Sequence, residues 1–209
     1  MARMGLHLIS NIVTLFVVLD PVGSIPIFLI ATAGLASRDR RKVALISVLV
    51  ALVVLMLFLW CGQYIFDQMH IGVPAFRIAG GAILFVFALQ MILSGHHQSG
   101  ASEPTRTPLE IAIFPVAMPS IAGPGALLAV VLLTDYNHYS IPEQAITASL
   151  TIGVLGVVLV ALLLAGQIQR FLGSAGIMVM TQIMGLILAA FAVQQILDGL
   201  VETLGRAAH

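Results

Sequence analysis

The chain has 209 residues, 60% of them hydrophobic and 9% charged, where a soluble domain of ordinary composition carries about 25% charged residues. About a third of the surface of a chain this size stays exposed, so this apolar surplus cannot be hidden in one core; the solvent is lipid and a soluble globular fold is excluded. Nine Lys and Arg balance nine Asp and Glu, which leaves no basic stripe to attract nucleic acid and no acidic tail.

At the N-terminus, Arg3 and the apolar run Leu8 to Leu19 imitate a signal peptide, but the run ends in Asp20-Pro21 with no small-x-small cleavage site and reads as a retained first helix. The stretch Met4 to Ser37 is interrupted only by Asp20. At about 1.5 Å per residue it is too long for one straight span and short for two, so a broken span or a re-entrant hairpin is expected. Five uncharged stretches follow, each near the roughly 20 residues that a spanning helix needs: Val43 to Phe66, Ile78 to Gly95, Ile111 to Thr134, Gln144 to Gln169 and Phe171 to Leu197. The lone Cys61 sits inside the first of these, so an intrachain disulfide is excluded and a packing role is expected. His96 and His97 fall in the polar stretch Ser94 to Pro108 with no acid or cysteine at ligand spacing, which points to a linker over about 96–108 and no metal site. Arg38, Arg40, Arg41, Lys42, Arg106 and Arg170 lie on one side of such a six-span chain, and Arg3, Arg77 and Arg206 on the other. The positive-inside rule puts the first set in the cytoplasm and both termini outside.

The chain also resembles itself. Gly81 to Gly95 reads GAILFVFALQMILSG and Gly185 to Gly199 reads GLILAAFAVQQILDG, with nine of fifteen positions identical and Gly81/Gly185, Phe87/Phe191, Gln90/Gln194 and Gly95/Gly199 in register. The first spans agree as well: Pro21 and Pro26 are five apart in DPVGSIP, as are Pro119 and Pro124 in PSIAGP. One polytopic domain over 1–209 is expected, with repeat 1 at about 4–95 and repeat 2 at about 109–199. Three spans is an odd number, so the second repeat must be inverted. Inverted repeats whose equivalent helices break at Gly and Pro near mid-membrane are a mark of secondary transporters, with the substrate at the breaks.

Pro21, Gly23 and Pro26 in one repeat, and Pro119, Gly123, Pro124 and Gly125 in the other, should each end one half-helix and begin another. Two such breaks brought together would offer helix N-termini to a carboxylate and freed carbonyls to a cation or ammonium, a combination suited to a zwitterion. Asp20 is the one acid deep within a span, at a cost of about 2.5 to 3.5 kcal/mol on insertion scales. Asp before Pro is also a good N-cap with proline at N1, so capping alone and capping combined with ligand contact both stand; Met118 takes the matching place in the second repeat. Ser24 and Ser120, with Asn11 and Thr14, could contact a small polar ligand or the backbone. Gln90 and Gln194 lie near helix ends. Gly80, Gly81, Gly153, Gly156, Ala161 and Ala165 have the small size that lets helices approach closely. An intramembrane enzyme fails on counting, because Asp20 has no second buried acid and neither serine has a histidine at similar depth. A channel has weaker support, since neither a carbonyl filter nor a charged ring is visible.

LDPVGSIPIFL, the basic connection RDRRK, GGAILF, PSIAGPGA and MGLILAAFAVQQILDG together resemble the MarC family of six-helix inner-membrane proteins, over nearly the whole chain. The resemblance implies an all-α polytopic protein of the cell inner membrane and, as in the SnatA-like members, a carrier of small neutral amino acids such as glycine and alanine. It implies H⁺ or Na⁺ as a coupling ion, no other cofactor, and a site at Asp20, Pro21, Gly23, Ser24 and Pro26 facing Pro119, Ser120, Ala122, Gly123, Pro124 and Gly125. Ser24, where many members have Asn or another polar residue, and Arg77 beside the third helix depart from the family's usual residues. A homo-oligomer is compatible with all of this and is not specified by it. A channel or an exporter of another small polar metabolite is the alternative function.

Overall fold

The computed structural model describes residues 2–93, 107–134 and 139–207, with 2–8, 174, 206 and 207 described by backbone alone. Most of the expected linker, with His96, His97 and Arg106, lies outside the described residues. Helices α1 (Ala2–Leu19) and α2 (Ser24–Ala31) are separated by a four-residue turn, then come α3 (Ser37–Gln68) and α4 (Val73–Leu93). A single turn of helix, α5 (Pro108–Ile111), runs into the irregular, wide-turned segment Ala112–Ile121, followed by α6 (Pro124–Leu132) and the 67-residue α7 (Ile141–Ala207). Gly173, at φ +69°, divides α7 into two arms of spanning length, Ile141–Gly173 and Ala175–Gly205. No strand occurs among the described residues.

Five helices are long and apolar enough to cross a membrane, and a sixth span is completed if Pro108–Ile121 and α6, bent by 55° to each other, are taken together. Of the two expectations for the first helix, the structure favours the broken span: α1 and α2 form one 23-residue apolar stretch, Ile9–Ala31. The second interruption is wider than expected. It begins at Phe114 rather than Pro119, because Pro115 as well as Pro119 lacks the N–H that a helix needs; Phe114 and Met118, the residues before them, are extended, and both peptide bonds to proline are cis.

The core follows helical spacing. Val43, Ala44, Ser47, Val48, Ala51, Leu55, Leu59 and Gly62 make one buried face of α3, packed on the segment 112–121, α6 and the first arm of α7. The other faces carry Leu45, Leu49, Val53, Leu57 and Trp60, all exposed, as expected where the surrounding solvent is hydrocarbon. Cys61 is exposed with them, which corrects its assignment to core packing: it falls between Leu59 and Gly62 in sequence but is turned off their buried face. Hydroxyls inside the bundle bond to carbonyls one turn back, Thr32 donating to Phe28 O at 2.6 Å and Ser47 to Val43 O at 2.7 Å, so they are buried without an orphaned donor. Arg40 Nε donates to Thr32 O at 3.2 Å, closing the C-terminal end of α2 with a positive charge.

The tightest seam joins α4 to the second arm of α7. A β-carbon on Gly81 would stand 2.8 Å from both Ala192 O and Ile196 Cγ1; on Gly185, 3.2 Å from Ala88 O and 2.8 Å from Ile92 Cγ1; on Gly199, 2.8 Å from Pro74 O and Ile78 Cγ1. The pairs run in opposite sequence directions, so the two helices are antiparallel and approach backbone to backbone. Gly80 is likewise closed over by Pro124, and Ala165 is buried. A β-carbon on Gly153 or Gly156, by contrast, would meet nothing within 4 Å. Both sit on the outer face of α7, and the expectation that they admit a packed helix is corrected.

Candidate substrate cavity

The turn between α1 and α2 is built by Asp20. Its backbone takes φ +41°, the left-handed region that short polar side chains tolerate best after glycine, and its Oδ1 accepts the Gly23 N–H at 2.9 Å. The bond closes a turn over residues 20–23 that precedes α2, whose own N-cap position is Gly23 and carries no side-chain cap bond. A side chain at Gly23 would collide with the same carboxylate, which is why glycine stands there. Ser24 Oγ donates to Asp20 O at 3.0 Å and the backbone N–H of Ser24 bonds the same carbonyl at 3.1 Å. The expectation that Asp20 is the N-cap with Pro21 in the first helical position is corrected: α2 starts three residues later, at Ser24, and Asp20 holds the turn before it.

In the second interruption the chain re-enters a helix at Pro124 with Gly123 as N-cap, and no side chain caps it. A β-carbon on Gly123 would lie 2.5 Å from Pro119 O, so the backbone doubles back closely there. Ser120 Oγ donates to Ser24 Oγ at 3.4 Å, joining residues 96 positions apart. Here the two interruptions meet.

Between them lies a cavity of about 280 Å³. Asp20, Gly23 and Ser24 line it from the first interruption, and Pro119, Ser120, Gly123 and Gly125 from the second. Asp20 falls halfway along the Ile9–Ala31 span, so the cavity is at mid-span depth. The remaining expected site residues do not line it: Pro21, Pro26 and Ala122 are buried behind it, and Pro124 packs on Gly80. Asn11 and Thr14 also do not line it, and Gln90 and Gln194 are exposed, the latter donating to Asp198 at 2.7 Å. Arg77 stands outside the cavity, 3.6 Å from Glu202 of α7. Sequence reasoning missed the apolar wall, above all Leu84 and Phe87 of α4 and Leu188 and Phe191 of α7. The signal was present in the repeat, where both pairs fall at identical positions 104 residues apart. Phe16, Val17 and Ile187 line the cavity and are themselves exposed, so it opens between α1 and the second arm of α7. Among the described residues no group of acids, histidines and cysteines could hold a metal ion.

Long apolar helices around an interrupted pair, with a cavity at mid-span, define a multi-pass integral membrane protein. The profile of the MarC family integral membrane proteins matches residues 6–204, and the chain belongs to that family. It is 36% identical over 193 residues to a UPF0056 membrane protein of Pyrococcus abyssi, covering 92% of this chain and 94% of that protein. It is 34% identical over 197 residues to the UPF0056 inner membrane protein YhgN of Escherichia coli K12, covering 93% and 96%. A UPF0056 membrane protein of Methanocaldococcus jannaschii is 32% identical over 191 residues, covering 90% and 92%. No solved structure matches significantly.

Proposed function

We propose that this protein is a secondary transporter, not an enzyme, that moves small neutral amino acids across the cell inner membrane by alternating access, coupled to H⁺ or Na⁺. The observation that carries this reading is the meeting of the two Pro/Gly interruptions at one mid-span cavity with a single carboxylate. Asp20 is available to an ammonium group or a coupling cation, the paired hydroxyls of Ser24 and Ser120 to polar atoms, and the uncapped start of α6 to a carboxylate. A neutral zwitterion matches one charge of each sign. Pro21, Pro26, Ala122 and Pro124 serve this site by shaping the half-helices behind it.

Alternating access needs two related halves, and the α4–α7 seam supports an inverted repeat. Adding 104 to Ala88 and Ile92, the neighbours of Gly185, gives Ala192 and Ile196, the neighbours of Gly81. Helices related by sequence are thus antiparallel and exchange equivalent contacts, as a two-fold axis in the membrane plane requires. In this reading the basic loops face the cytoplasm and both termini face outward.

Uptake of labelled glycine and alanine into proteoliposomes under imposed proton and sodium gradients tests the reading. Saturable uptake, counterflow and dependence on one gradient are expected. Nonsaturating flux would overturn the carrier in favour of a channel.

A further inference from the structure

The polar groups of the cavity all come from the two interrupted spans. The helices that complete it contribute Leu84, Phe87, Met184, Ile187, Leu188 and Phe191, with no polar side chain among them. The cavity therefore has one polar corner, Asp20 and the Ser24–Ser120 pair, and is otherwise lined by aliphatic and aromatic side chains, Phe16, Val17, Val18 and Ile27 of the first interrupted span among them. At about 280 Å³ it approaches the roughly 300–1,000 Å³ of sites that enclose small organic ligands, well beyond what an amino acid lacking a side chain fills. A glycine held at Asp20 would leave the apolar wall against water, whereas a branched aliphatic side chain would cover it and release that water.

Building on the carrier reading but departing from glycine and alanine as its preferred substrates, we propose that this apolar compartment is a side-chain pocket that selects neutral amino acids of the valine and leucine class over glycine. Gly125 is part of its lining, and a β-carbon there would lie 3.3 Å from Phe191 Cε1 and 3.4 Å from Val18 Cγ1, two residues of the same apolar wall. Leu84 and Leu188 form its sides, one from each repeat, each three residues before its phenylalanine on the same helix face. Because the two repeats supply equivalent walls, the pocket keeps the same chemistry when the halves exchange positions.

The test is uptake of labelled leucine, valine, alanine and glycine by the full-length protein in proteoliposomes, with wild type, Gly125→Ala and Leu84→Ala compared at matched protein incorporation. For the wild type, kcat/KM for leucine is expected to exceed that for glycine by at least about tenfold, the lower end of what one methylene in a hydrophobic pocket contributes. Gly125→Ala shortens the pocket and should lower the leucine-to-glycine ratio of kcat/KM by about tenfold or more, whatever it does to uptake of both. Leu84→Ala removes a wall instead of adding bulk, so it reads the same preference should Gly125→Ala not fold; it too should lower leucine selectively. Saturable glycine uptake equal to or better than leucine uptake would overturn the pocket and leave the carrier standing. Saturable uptake of none of the four would overturn both.

Discussion

At the scale of single residues, Asp20 carries two separable loads. Its Oδ1 accepts the Gly23 N–H, an interaction that any acceptor of that shape provides, and among the described residues its carboxylate is the only charged group in the cavity lining. Asp20→Asn retains the acceptor and should melt close to wild type in detergent, whereas Asp20→Ala should lose about 0.5–1.5 kcal/mol, the usual net worth of one hydrogen bond. If the charge takes part in transport, both variants lose ion-dependent uptake. Wild-type kinetics in Asp20→Asn would leave the turn bond as the whole role. A local backbone bond from Asp20 was legible in the sequence because Asp-Pro is a local signal, but where α2 starts was not, since the turn runs on to Gly23 before the helix begins. The hydroxyl contact between Ser24 and Ser120 was not, since tertiary packing alone brings together residues 96 positions apart.

At the scale of elements, the two interruptions differ in kind. The first is a compact turn held by Asp20 within one continuous span; the second extends from Phe114 to Gly123 and bends its span by 55°. Its early start at Phe114 is set by Pro115, four residues before Pro119, and the repeat gives no hint of it, because Pro21/Pro26 match Pro119/Pro124 and Pro115 has no counterpart in the first half. Pro26→Ala and Pro124→Ala should insert normally and transport poorly; unchanged transport in both would mean that the prolines only aid packing. The glycine seam allows a sharper comparison. Gly81→Leu drives a side chain against Ala192 O and should destabilise by about 1–3 kcal/mol, while Gly153→Ala, facing open space, should stay within about 0.5 kcal/mol. Thermal unfolding of the purified variants checks both. Composition alone could not separate these glycines: small residues are common on packed and lipid-facing surfaces alike, and only the repeat singled out Gly81 and Gly185.

At the scale of the whole molecule, the spans were legible because charge is excluded from hydrocarbon, so the gaps between charged residues trace them directly. The break within α7 falls at Gly173, three residues beyond the charged marker Arg170, because the backbone turns where glycine allows positive φ. Which long helices enclose the cavity was legible only through the repeat. Orientation rests on the basic loop 38–42. With Cys61, exposed on α3, first replaced by alanine, Arg41→Cys should be protected from impermeant thiol reagents in intact cells and Ala207→Cys should react; the reverse pattern would invert the topology.

The seam between α4 and the second arm of α7 has a further consequence. Its contacts at Gly81 and Gly185 join two antiparallel stretches that share nine of fifteen residues, and on the proposed carrier reading this is the interface of a symmetric homodimer whose two subunits have been strung on one thread. Such an interface is selected twice by each sequence feature it uses, and the thread between its halves need only reach. Cutting the chain between residues 95 and 107 and producing the two fragments together should therefore restore a complex that purifies as one unit, because the recognition resides in the helix faces and not in the connection.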